Sequence, residues 1–462
     1  MPTITIVDAI MGAGKTTWAH AAMRKHYAKT WEDHSGSSDD QCADGQPSSR
    51  KRPRVIYVTP FLEEVERAKA ACPELDLREP ESIDGRPKWM HFEALLKAGE
   101  NVATTHALLP YLSAGGIQAI RDHGYHLIVD EALDGIDLHR TLTPKEIEHL
   151  LRERWIEVDE TTEAVSWLYG DHTGHRFEDV QRLAKTGSLF LSDGRFLIWE
   201  FPRAALDAFS EIMFLTYLFE GSTLCAYLRA NGYPYRVDGI DHQRKRKPRD
   251  DISEWLVKET IRERLVIYEG PKNDIGALFK VGRDKSPTEK FSVTHLSRLS
   301  PDAMKRITNT VRMFIERDAQ VPAKLVGWTT FNDFREALTG KGYATPDAFI
   351  PVNARASNNW RDRKAMIYLA NRFPNPMLTQ YIEKKKGQVF DDDLFALSEM
   401  LQWLWRGCIR DRDGGKMIVF VPSQRMRALL KAWLETDTLP QLREALAKLK
   451  RRVRTAASAP AL

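Results

Sequence analysis

Cysteine is scarce in this chain: four in 462 residues, Cys42, Cys72, Cys225 and Cys408. None stands in a C-x-x-C pair, so there is no basis for a zinc site or a disulfide framework, and a reducing, cytoplasmic setting fits. No apolar run approaches the ~20 residues of a membrane-spanning helix. The N-terminus shows no basic-then-apolar leader. Neither sign of charge dominates. With 68 Lys+Arg against 64 Asp+Glu, the formal net charge is +4, so contact with a polyanion must come from local clusters. No internal repeat is visible.

The remaining composition is that of a globular protein, 42% apolar and 29% charged, and the length allows two or three domains with full cores. The most informative segment comes first. Thr3–Val7 is an apolar run, and Asp8-Ala-Ile-Met-Gly-Ala-Gly-Lys-Thr-Thr17 follows it. This is a phosphate-binding loop in its A-x-x-x-x-G-K-T form. Gly12 and Gly14, on either side of Ala13, let the backbone curl so that its N–H groups converge on an anion. The helix expected over 15–29 adds the positive end of its dipole. Lys15 is placed to reach terminal phosphates, Thr16 to hold Mg²⁺, and Thr17 to extend the cradle. A chance Gly-rich turn would not also supply the strand before it and the G-K-T register.

A second motif supplies carboxylates. His126-Leu-Ile-Val129 is a short buried-strand pattern ending in Asp130-Glu131-Ala132-Leu133. Asp130 at such a strand end would hold Mg²⁺ through water, and Glu131 would orient and deprotonate the attacking water. Helix capping alone also favours an acidic pair there. One domain's length behind a phosphate-binding loop, the pair reads as the apparatus of nucleoside-triphosphate hydrolysis.

Strand and helix patterns alternate on either side of these motifs. Strands are expected at Val55–Pro60, Asn101–Thr105 and Ile212–Tyr217, then at Arg264–Tyr268, Lys324–Trp328, Ala348–Val352, Lys364–Leu369 and Lys416–Val421. Such alternation predicts parallel sheets with helices on both faces. The first domain spans 1–237, with a polar insertion at 31–54 and a mixed, charged one at 140–205. The basic end of the first insertion, Arg50–Arg54, reads as a solvated loop with some capacity to touch nucleic acid. A basic, Pro-containing stretch at 238–254 reads as a linker. The second domain spans 255–436, and a tail at 437–462, helical then disordered, carries the basic cluster Lys448–Arg454.

In the second domain, Asp391–Asp393 starts a helix expected to run to about Ile409. Gln402, Arg406 and Arg410 are spaced i, i+4, i+8 and share a face that drifts by ~40° per step. Two guanidiniums and an amide on an otherwise apolar helix suggest a phosphate partner, although a salt-bridged surface stripe has the same spacing. This Gln402-x₃-Arg406-x₃-Arg410 pattern resembles the arginine-finger motif of superfamily 2 helicases. The stretch Asn353–Phe373, with Leu397–Arg427, looks like that of DEAD/DEAH-type helicases of bacteriophages and mobile elements. The resemblance implies an α/β fold of two RecA-like parallel-sheet domains with a helical or irregular insertion, and ATP with Mg²⁺ between them. It implies nucleic-acid contacts at Thr59, Pro60, Thr104, Thr105, His106, Thr329, Arg355, Ser357 and Asn358. Thr216 resembles the motif that couples hydrolysis to domain movement. Three departures stand out. The second motif ends Ala-Leu, the arginine spacing is one residue wide so that Arg410 and Arg412 are rival fingers, and no adenine-reading glutamine precedes the first strand.

The resulting expectation is an ATP-dependent helicase or translocase with Lys15, Glu131, Arg406 and Arg410 as catalytic residues. Its track is DNA, single-stranded or forked, with RNA as the other candidate. Replication or recombination proteins are candidate partners, no membrane is involved, and a phage-encoded chain would work in the bacterial cytoplasm. Two rivals remain: a phage DNA-packaging motor, which needs a metal-dependent nuclease, and an ATPase switch that remodels a protein and ignores nucleic acid.

Overall fold

The computed structural model describes residues 1–32, 54–131, 133–171, 174–276, 290–345, 347–353, 359–411 and 413–458. Most of the polar insertion read at 31–54 lies outside them. The chain forms two compact units. The first comprises Met1–Ala9, Gly14–Asp238 and Asn375–Phe390, and the second Ile10–Ala13, Gly239–Pro374 and Asp391–Leu462.

The first unit opens with strand β1 (Thr3–Asp8), followed by a helix at Lys15–Glu32. Strands β2 (Val55–Thr59), β3 (Val102–Thr105) and β4 (His126–Asp130) come next. Every residue of β2 is buried, as its unbroken apolar run requires of a strand covered on both faces.

An insertion follows β4. It holds β5 (Ile136–His139), β6 (Ile156–Val158), β7 (Val165–Trp167), β8 (Leu189–Ser192) and β9 (Phe196–Glu200). Antiparallel pairings join β5 to β9, β8 to β9 and β6 to β7. The insertion expected to be helical or irregular is instead a small α+β module with five short strands. Its own core includes Ile147, Leu150, Val165, Val180 and Leu189. Its first helix, Pro144–Arg152, is entered through a capping box between Thr143 and Glu146.

The chain then returns to the main sheet through β10 (Glu211–Thr216), β11 (Tyr235–Ile240) and β12 (Arg246–Pro248). The strand order is β12-β11-β1-β10-β4-β2-β3. Pairings β1–β10, β1–β11, β10–β4, β4–β2 and β2–β3 are parallel. The stretch expected as a linker at 238–254 therefore holds the end of β11 and all of β12. An edge position accommodates the exposed Arg-Lys-Pro of β12, because proline donates nothing to a ladder.

The second unit carries β13 (Leu265–Ile267), β14 (Val326–Thr329), β15 (Ala365–Tyr368) and β16 (Met417–Phe420). All pairings are parallel, in the order β13-β16-β15-β14. Helix Pro301–Phe314 packs Ile307, Val311 and Phe314 into the core around Trp328. The strand expected at Ala348–Val352 is reduced to an isolated bridge between Phe349 and Trp328, and Pro351 removes a ladder donor there. Segment Asn375–Phe390, expected in the second domain, groups with the first unit. There Tyr381 donates to Glu200, Lys386 pairs with Glu200 at 2.6 Å, and Lys385 pairs with Glu163 at 2.6 Å. The tail is ordered further than expected, as a helix over Leu439–Ser458. Buried Leu439, Leu442 and Leu446 hold it down.

The central pairings of both large sheets are parallel, as the expected α/β fold class requires, with the antiparallel module added in the first unit. No helix among the described residues is long and apolar enough to cross a membrane.

Candidate active site

Three adjacent parallel strands, β1, β10 and β4, bring the two motifs to one edge. Asp8 pairs with Thr216, and Leu215 pairs with Asp130, so the phosphate-binding loop and the Asp-Glu pair leave the sheet at the same level. The carboxyl edge of a parallel sheet is where such folds bind ligands.

After β1 the backbone turns with φ of +81° at Gly12 and +83° at Gly14. Side chains disfavour both conformations, and this accounts for the two glycines. The helix begins at Lys15, and Trp18 N–H donates to the Gly14 carbonyl at 2.8 Å. Lys15 Nζ lies 2.5 Å from the Ala9 carbonyl, within the loop's own backbone. The root of the loop is fastened twice. Ala9 N–H donates to Thr216 O at 3.0 Å. The buried Asp8 carboxylate accepts the N–H groups of Leu218 and Phe219, both at 3.0 Å.

Thr16 and Asp130 meet directly: Thr16 Oγ1 donates to Asp130 Oδ2 at 2.6 Å. Tyr57, fully buried on β2, donates its phenol to the same oxygen at 2.9 Å. A ring nitrogen of His106 lies 3.3 Å from the Asp130 carbonyl. Glu131 leaves the strand with φ of +60°, a conformation rare for a side chain of this size and concentrated at functional sites. Burial, and then the Asp130 charge, push the Tyr57 phenol well above its ordinary value, so it stays a donor. His20, one helical turn after Thr16, lies with its ring 5.4 Å from Tyr57. Burial lowers its pKa against the pull of Asp130, which favours the neutral ring.

A hydroxyl and a carboxylate make an oxygen-only donor set. This suits Mg²⁺, which takes one or two protein ligands and completes its shell with phosphate and water. Among the described residues, no group of three or more His, Cys, Asp or Glu forms a metal cage. Asp391–Asp393, the densest acidic run, is committed elsewhere. Asp391 caps the helix by accepting from Asp393 and Leu394 N–H, and Asp393 pairs with Arg425 at 2.8 Å.

Other expected residues fall differently. Thr17 is exposed on the helix, while Ala13 is half-buried. Thr59, Thr104 and Thr329 are buried, with at most 2% of their surface exposed, so their hydroxyls do not face solvent as nucleic-acid contacts would. Thr59 and Thr105 are register partners at the same edge, and Pro60, Thr105 and His106 are half-buried. Arg355, Ser357, Asn358 and Arg412 lie outside the described residues.

The arginine face does not persist as one helix. The helix ends at Leu404, Arg406 and Gly407 turn on i−3 bonds to Trp403 and Leu404, and Cys408–Arg410 is a separate 3₁₀ turn. Gly407 sets the break. A side chain there would meet Met417 Sδ at 2.7 Å and the Arg363 carbonyl at 3.2 Å. Arg406 is buried and Arg410 half-buried, and Gln402 bonds within its helix to Ser398. Sequence reading missed Asp8, His20 and Tyr57. The one available signal was that all three fall in or beside the strands and helix that carry the motifs.

Residues 259–434, which contain the whole second sheet, match the family described as the YonV C-terminal Rossmann-like domain. Over 458 residues the chain is 29% identical to the SPbeta prophage-derived uncharacterized protein YonV of Bacillus subtilis (strain 168), spanning 95% of this chain and 100% of that protein. Two solved structures align at 11% identity. One, described as XPD_APO, gives a TM-score of 0.46 over 91% of this chain and 92% of its own. The other, S. tokodaii Xpd4, gives 0.36 over 91% of each.

Proposed function

We propose that this protein hydrolyses ATP with Mg²⁺ and uses the cycle to move along or unwind nucleic acid, DNA in the first instance. The observation that carries the proposal is the 2.6 Å contact between Thr16 and Asp130, which brings the G-K-T segment and the Asp-Glu strand end together across 114 residues of chain. The backbone of Gly12–Gly14 would cradle phosphates, and Lys15 would leave the Ala9 carbonyl for the terminal ones. Bound Mg²⁺, at Thr16 and through water at Asp130, would offset charge on the phosphate oxygens. Glu131 would hold the attacking water. Arg406 and Arg410 are the residues proposed to meet the γ-phosphate, with half-buried Arg410 ahead of buried Arg406. The prophage origin of the YonV relative supports a mobile-element role.

One observation favours a second reading, an ATPase switch that acts on a protein. Three threonines expected to grip nucleic acid are buried. Steady-state hydrolysis measured alone and with single-stranded DNA, duplex DNA and RNA separates the two. Stimulation by one nucleic acid, absent in Lys15→Ala and Glu131→Gln, is the expected result. Hydrolysis indifferent to all three polymers would transfer the assignment to the switch.

A further inference from the structure

We infer that Tyr57 is a positioning residue for Mg²⁺ at this site, holding the Asp130 carboxylate in the orientation that the ion reads. The inference rests on the proposed role of Asp130. Tyr57 pairs with Ile128 across β2 and β4. Because side chains two apart on a strand share a face, Asp130 lies on the same face of the sheet as Ile128 and Tyr57. Tyr57 sits in a core of Met23, Val55, Val65, Ala68 and Ile128, so its ring has little room to move. The phenol reaches the oxygen that Thr16 also contacts.

The two donors to Asp130 Oδ2 differ in what else they do. The Thr16 hydroxyl is itself a proposed Mg²⁺ ligand: it would offer the ion an oxygen lone pair while its hydrogen still goes to Asp130, so its position is shared with the ion. The Tyr57 phenol is not itself a proposed ligand, so its bond to Asp130 is set by the protein alone. A carboxylate that contacts a metal through water must be aimed, since a rotated head group misplaces that water. Partners that aim a ligand in this way typically account for 10–100-fold in metal affinity.

The test uses the full chain, a fluorescent N-methylanthraniloyl-ADP probe, and equilibrium binding titrated with Mg²⁺ from an EDTA baseline. For Tyr57→Phe, probe affinity in EDTA should match the wild type, while the Mg²⁺ concentration giving half the enhancement should rise about tenfold. A wild-type Mg²⁺ midpoint in this variant would reduce Tyr57 to a packing residue. Asp130→Asn serves as the separate control. If it leaves the Mg²⁺ midpoint unmoved, the assignment of Asp130 itself fails and the inference falls with it. A second measurement needs no ligand. In urea unfolding, Tyr57→Phe and Asp130→Asn should be non-additive in the double variant, because they share one bond. Additive effects would mean that the phenol does not act through Asp130.

Discussion

At the residue scale, the loop is only as well placed as its root. Asp8 is fully buried at the end of β1, and its two oxygens accept the N–H groups of Leu218 and Phe219. Leu218 holds φ of +56°, so the turn after Thr216 bends sharply where Asp8 receives it. Removing the carboxylate would strand two buried donors, each costing about 1–3 kcal/mol. Asp8→Ala should therefore lower unfolding stability by roughly 2–6 kcal/mol in urea titrations. A loss below about 0.5 kcal/mol, the range of neutral surface changes, would mean that the turn finds other acceptors. Asp8 also shows why part of the site was legible in sequence and part was not. Gly12, Gly14, Lys15 and Thr16 announce themselves because phosphate binding fixes residue types at fixed spacing. The partners of Asp8 lie 210 residues away, and Tyr57 finds Asp130 across 73. No local pattern encodes such pairings, which follow from the strand order.

At the scale of the element, helix ends and docked segments decide more than periodicity does. The i, i+4, i+8 spacing of Gln402, Arg406 and Arg410 suits a helix, but spacing says nothing of where a helix stops. It stops because Gly407 lets the chain pass close to Met417 and the Arg363 carbonyl. Propensity alone ranks Ala above Gly by about 1 kcal/mol within a helix. Packing predicts the opposite here: Gly407→Ala should destabilise by about 1–3 kcal/mol through overpacking, read as a lower urea midpoint. A raised midpoint would mean that the helix extends through Arg410 after all. The segment Asn375–Phe390 poses the same question of docking. Glu200, 4% exposed, accepts from Tyr381 and pairs with Lys386. Glu200→Ala leaves a partly buried ammonium without its carboxylate, a change that costs about 3–5 kcal/mol at fully buried pairs. Amide exchange over 375–390 should accelerate in that variant while β13–β16 keep their protection. Unchanged exchange in the segment would assign its docking to apolar contacts alone. No local pattern marks this element for docking, since its anchors Glu163 and Glu200 lie far away in sequence.

Over the whole molecule, alternation of strands and helices was enough to foresee parallel sheets. The order β12-β11-β1-β10-β4-β2-β3 was not readable, because strands distant in sequence interleave. Nor was the antiparallel module between β4 and β10, whose strands of three to five residues are too short to carry a period. Each unit has its own buried cluster, around Tyr57 in one and Trp328 in the other. Heat should therefore unfold the chain in more than one step, as is usual for molecules built this way. A ligand that binds only the folded state stabilises by about 2.7 kcal/mol at a hundredfold excess over its Kd. For a unit of this size that corresponds to roughly 2–4 °C per kcal/mol. Calorimetry with ADP and Mg²⁺ should thus raise the transition that carries β1 and β4, with amide exchange identifying those strands. EDTA should remove part of the shift, Asp130→Asn should remove the same part, and Lys15→Ala should remove the nucleotide's share. These three effects separate the contributions of metal, carboxylate and ammonium within one site. If ADP and Mg²⁺ leave every transition where it was, the loop does not bind a nucleotide, and the contact between Thr16 and Asp130 is a structural hydrogen bond.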